Sequence, residues 1–186
     1  MAHPFYTIGH STRPIPRFVE MLRLGGVQLV VDIRTVPRSR TNPQFNEETL
    51  AEALARYQIG HTRIAELGGL RSRVRDVPDE VNAWWDNRSF HNYADYALSD
   101  EYRLGLERLI ALGRERPLAM MCSEAVWWRC HRRIVADHLL ARGEKVFHLM
   151  DPDRVEPARL SAAAVPSEVG LTYPRRPEAS AQATGR

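Results

Sequence analysis

Four short apolar runs alternate with stripes of helical period along this chain: Phe5-Tyr-Thr-Ile-Gly9, Val27 to Ile33, Leu118 to Met121 and Val146 to Met150. No other feature limits the fold as strongly. Runs this short, dense in apolar and β-branched residues, suit strands buried on both faces. After the first run, Ile15, Phe18, Val19 and Leu22 recur at i, i+3, i+4 and i+7, which predicts a helix with one buried stripe. Pro14 and Pro16 fit its first turn, and Gly25-Gly26 ends it. Asn46-Glu47-Glu48 opens a second helix, with Leu50, Ala53, Leu54 and Tyr57 on one face, and a short strand is expected near His61 to Ile64. Tyr93, Tyr96 and Ala97 begin another helical stripe. Asp100 is the expected cap of a segment burying Tyr102, Leu106, Leu109 and Ile110. Residues 130–142 predict a last helix with Ile134, Val135 and Leu139 inside, stopped by Gly143.

Strands alternating with helices imply an α/β fold: a single domain with a mainly parallel central sheet flanked by helices on both faces. A chain of 186 residues suits one such domain. We expect it to occupy residues 1–165, with 166–186, rich in Pro, Ala, Ser and Arg, as a flexible C-terminal segment. Residues 35–46 and 70–91 are polar connections, and the second is long enough to suggest a functional role. No run approaches the ~20 apolar residues of a membrane helix. The first residues lack a basic start followed by an apolar stretch, so no signal peptide is expected, and the cytoplasm is the expected compartment.

The formal net charge is +3, a weak lean towards anionic partners. Lys145 is the only lysine, so the positive charge is almost all Arg, whose planar fork suits phosphate and carboxylate. The two cysteines, Cys122 and Cys130, fall in one segment and read as thiols rather than a structural disulfide.

Ligands of open parallel sheets bind beyond the carboxyl ends of the strands. The first strand delivers His10-Ser11 there, the second Asp32 and Arg34 and then Arg38-Ser39, the third Cys122-Ser123-Glu124, and the last Asp151. Cys122 is the candidate nucleophile, with Glu124 or a histidine such as His131 as proton carrier. His131 and Arg132 are expected in the first helical turn, where backbone N–H groups attract anions. His10, Ser11, Asp32, Arg34, Arg38, Ser39, Gly68, Gly69, Tyr93 and Arg132 are the candidate substrate contacts. Asp32 and Arg34 share a strand face, so mutual pairing is as good a reading as ligand contact. Cys130 reads as a packed helix-start residue. Cys122, Cys130, His131 and His10 form an alternative metal set, since thiolate and imidazole suit zinc or iron, although the spacing is not Cys-x2-Cys. Trp84-Trp85 and Trp127-Trp128 offer stacking surfaces for a non-catalytic nucleic-acid-binding module. The sequence requires no cofactor and fixes no oligomeric state.

Asp-x-Arg after a buried strand, then a later strand, Cys and helix, resembles the layout of rhodaneses and Cys-dependent phosphatases. The phosphatase loop places Arg six residues after Cys; here that residue is Trp128, and Arg129 comes one later. A closer resemblance joins Tyr6-Thr-Ile-Gly-His10-Ser11, Val31-Asp32-Ile-Arg34-x-x-Pro37-x-Ser39, Leu67-Gly68-Gly69, Tyr93, Met121-Cys122-x-Glu124 and Cys130-His131-Arg132. In this combination and order the chain resembles, over about residues 5–150, the bacterial family called domain of unknown function 488. The resemblance implies an α/β domain with the motif residues gathered at one site, and it implies no particular reaction. The functional expectation is a small enzyme, a thiol-dependent transferase or hydrolase, or a ligand-binding domain, acting on an anionic, nucleotide-like substrate.

Overall fold

The computed structural model describes residues 2–176. Five parallel strands form the sheet: β1 (Phe5–Gly9), β2 (Leu29–Asp32), β3 (Gly60–Arg63), β4 (Leu118–Cys122) and β5 (Val146–Met150), with β6 (Arg154–Pro157) antiparallel on the edge. The spatial order is β3-β2-β4-β1-β5-β6. The α/β architecture expected from the alternation is therefore present.

The period of two along each strand splits the core into two layers. Val30, Ala119 and Met121 face α1 (Ile15–Leu24) and α2 (Glu47–Ala55), where Phe18, Val19, Leu22, Leu50 and Leu54 are buried. Leu29, Val31, Leu118 and Met120 face the other way, towards α3 (Arg88–Tyr96), α4 (Asp100–Glu115) and α5 (Arg132–Ala141). Each of the larger side chains among these contributes about 1.5–3 kcal/mol from burial alone.

This layering positions the site. β1 and β2 lead to helices on one face. β4 lies between them and leads to α5 on the opposite face. The chain therefore diverges at the carboxyl ends of β1, β4 and β2 and leaves a crevice there.

Three expectations are corrected. Asp100 does not cap α4: the Ser99 side chain accepts the Tyr102 N–H, and Asp100 is the first helical residue. The last helix begins at Arg132, with His131 at its N-cap and Cys130 extended ahead of it. Residues 166 onwards are not a loose tail as far as residue 176. β7 (Val165–Ser167) and β8 (Gly170–Thr172) form a hairpin, and Tyr173 beyond it is 0% exposed. Its hydroxyl donates to Asp137 at 2.9 Å, and its N–H donates to the Asn82 side chain at 3.0 Å. Pairing between distant segments, invisible in a polar local pattern, holds this strap down. The remainder of that expected segment lies outside the described residues. No helix among the described residues is long and apolar enough to cross a membrane.

Candidate functional site: a thiol and imidazole cluster at the strand ends

The backbone past the strand ends holds the crevice in register. His10 N–H donates to the Cys122 carbonyl at 2.8 Å, Ser11 N–H to the Ser123 carbonyl at 2.9 Å, and Ile33 N–H to the Met121 carbonyl at 3.1 Å. The loop after Cys122 crosses directly over Gly9, where a Cβ would collide with the Glu124 carbonyl. The Arg132 guanidinium pulls this loop back towards α5: it donates to the Glu124 carbonyl at 2.6 Å and the Ala125 carbonyl at 3.2 Å. That return brings Cys130 and His131 beside Cys122.

Cys122 Sγ lies 3.9 Å and Cys130 Sγ 3.6 Å from His131 Nδ1. The far ring nitrogen of His131, Nε2, sits 2.9 Å from the Ile33 carbonyl. A Cβ on Gly69 would overlap the His131 ring, so only glycine lets this backbone lie against the imidazole. The Cys122 thiol is pushed up to about 12, first by its hydrogen bond to Cys130 and then by burial. Burial also pushes Cys130 up, but the hydrogen bond from Cys122, the Arg132 charge and the Arg132 backbone N–H outweigh it and bring that thiol down to about 6. The two thiols are thus shifted in opposite directions, and Cys130 is the one drawn towards the thiolate.

A second cluster stands at the neighbouring strand end. Arg34 grips Asp32 with Nε at 2.9 Å from Oδ1 and Nη2 at 2.6 Å from Oδ2, and it also donates to the Phe45 carbonyl at 2.8 Å. Its Nη1 is 3.2 Å from His10 Nε2. His10 Nδ1 faces the Ser11 carbonyl at 2.8 Å, so Nδ1 carries the ring hydrogen and Nε2 accepts from Arg34. Burial, with the Arg34 charge further down the order, lowers the His10 pKa to about 4, so the ring is neutral.

Both clusters border a cavity of about 540 Å³, within the range of small-molecule sites. Of the residues picked out in the sequence, His10, Arg34, Arg38, Ser39, Gly69, Cys122, Glu124 and His131 line it. Ser11, Asp32, Gly68, Tyr93 and Arg132 lie outside this lining. Asp32 is spent on Arg34, and the Tyr93 hydroxyl donates to the Leu67 carbonyl at 2.8 Å. Gly68 packs against Thr35, and Arg132 is 0% exposed behind the Glu124 loop. Asp151 is also elsewhere, paired with Arg13 and Arg17. His10 does not join the thiols, because Arg34 occupies its free nitrogen.

The expectations drawn from sequence lacked Thr35, Val36, Leu70, Asn87, Ser89, Phe90 and Arg129 in the lining, and they placed Cys130 there only in the alternative metal set. The long 70–91 connection was the available signal for the middle of that set. Val36 and Leu70 are 56% and 73% exposed beside the opening. Arg38 and Arg129 are exposed on the lining and make no ion pair among the described residues. The indoles are mostly committed to packing: Trp84 and Trp85 pack on each other and on Tyr173, and Trp127 stacks on His148 at 4.5 Å. Trp128 alone of the four is largely exposed.

No curated protein and no solved structure matches this chain. A family model described as domain of unknown function DUF488 matches residues 14–139, well over half of the chain and both halves of the cysteine motif, and the chain belongs to that family.

Proposed function

We propose that the strand-end pocket is the reacting site of a small enzyme that acts on an anionic substrate. One observation carries this reading: two thiols and an imidazole nitrogen converge on the wall of a 540 Å³ cavity that also presents Arg38 and Arg129 without carboxylate partners. Unpaired guanidinium groups beside a cavity attract phosphate or carboxylate. The thiol cluster is the reacting centre. Glu124, whose Oε1 accepts the Val126 N–H at 3.2 Å, lines the same cavity and serves as the acid/base group. Phe90, Val36 and Leu70 add an apolar wall, which suits a substrate carrying a ring beside its charge, as a nucleotide does. The nucleic-acid reading has less support, because three of the four Trp rings are engaged in packing.

The test compares an anionic and a neutral alkylating reagent on chelator-treated protein, each scaled to its rate with a small free thiol. Iodoacetate should gain over iodoacetamide by about tenfold, and Arg38→Ala with Arg129→Ala should remove most of that gain, as a loss of about 1.4 kcal/mol in attraction implies. Equal scaled rates in the unsubstituted protein would rule out an anion-attracting reacting site.

A further inference from the structure

We infer that Cys122, Cys130 and His131 bind one soft divalent cation of the zinc class, leaving its fourth coordination position open to the pocket. This deepens the reading of the pocket as a reacting site, and rests on it. The reason lies in the lone pairs. The Ile33 carbonyl can only accept, so His131 Nε2, 2.9 Å away, carries the ring hydrogen. Nδ1 is then a bare lone pair, and it faces two sulfur atoms at 3.6 and 3.9 Å. All three candidate ligand atoms lie within 4.8 Å of one another. A tetrahedral cation with metal–sulfur bonds of about 2.3 Å and metal–nitrogen bonds of about 2.0–2.1 Å sets sulfur and nitrogen about 3.6 Å apart. The cluster already has that spacing.

The surroundings also fit a metal. A ligating imidazole typically donates its other N–H to a carbonyl or carboxylate, which fixes the ring and its tautomer, as Ile33 does here. The Arg132 N–H points at Cys130 Sγ from 3.5 Å, a second support for a thiolate ligand. Two sulfurs and one nitrogen select a borderline or soft ion over magnesium or calcium. Three protein ligands with an open fourth place is the arrangement of catalytic rather than structural zinc. Binding would release the proton still held by the thiols to solvent, and two thiolates would neutralise the dication. The buried Arg132 charge then leaves the site net positive, so water as hydroxide, or an oxygen of the anionic substrate, is the fitting fourth ligand.

The experiment is titration of chelator-treated full-length protein with cobalt(II), read by absorption, with zinc as competitor. The expected result is one equivalent bound, a sulfur-to-cobalt charge-transfer band, strong visible bands of a tetrahedral ion, and displacement by zinc. Cys122→Ser, Cys130→Ser and His131→Gln should each weaken binding by at least about 100-fold, since even outer-shell changes cost 10–100-fold. Arg38→Ala should leave the spectrum intact. Absence of the charge-transfer band, or unchanged affinity in the Cys variants, would overturn the metal site. The pocket reading falls separately, through the alkylation rates, because that measurement is made on metal-free protein.

Discussion

At the end of β2, Asp32, Arg34 and His10 satisfy one another; at the end of β4, Cys122, Cys130 and His131 turn three lone pairs towards one point. Both clusters are largely buried, with His131 half-buried, both border the same cavity, and both come from motifs that look equally functional in the sequence. In the first, every strong donor has an acceptor and the buried charges cancel. In the second, the protons available are fewer than the acceptors. A closed network holds a shape, whereas an open one is available to a ligand. The first cluster is therefore the frame of the crevice, and the second is the wall that we propose to be reactive.

The largest expected effect comes from breaking the closed cluster. Arg34→Met leaves the Asp32 carboxylate buried without its partner, and we expect a loss of about 3–5 kcal/mol in urea unfolding. A loss below 1 kcal/mol would mean that Asp32 finds another partner or protonates at little cost, and the framing role would fail.

Gly69→Ala probes the open cluster with a smaller cost. The new methyl must displace the His131 ring or the 68–70 backbone, an overpacking expected to cost about 1–3 kcal/mol. It should also abolish cobalt binding while the Arg34 network stays intact, which a nuclear magnetic resonance comparison of the two clusters would show. Unaltered cobalt binding would separate Gly69 from the imidazole position.

Acid should loosen the closed cluster more gently. The folded value of His10, about 4, lies below the free imidazole value of 6.5. The unfolded chain therefore binds more protons between these limits. The contribution to stability is complete above about pH 6.5 and is lost as pH falls towards 4. At about pH 5.5 the loss from this one group is about 1.4 kcal/mol. His138 and His148, each lowered to about 3 by burial first and arginine charge second, add to the same slope. Measuring stability against pH for the protein and for His10→Gln checks this: the variant should show a shallower acid slope. Parallel curves would place the His10 proton uptake outside the folding equilibrium.

The sequence determined that strands and helices alternate into an α/β sheet covered on both faces, because strand and helix periods are local; the strand order came from the tertiary structure. The sequence also marked the edge where the polar residues collect, since strand ends are set by where apolar runs stop. Other features depended on chain segments distant in sequence. The hairpin that leads to Tyr173 is short, and contacts with Asn82, Asp137 and the Trp84–Trp85 pair hold this segment in place. Cys130 and Cys122 look like one reactive thiol and one packed one until the Arg132 guanidinium folds the loop back and brings both to His131. Asp32 and Arg34 allow pairing or ligand contact at the same spacing, and the arrival of the Phe45 carbonyl and His10 selects pairing. Local pattern dictates which elements form; which polar groups remain unsatisfied is decided when those elements meet, because each donor's partner comes from a distant part of the chain.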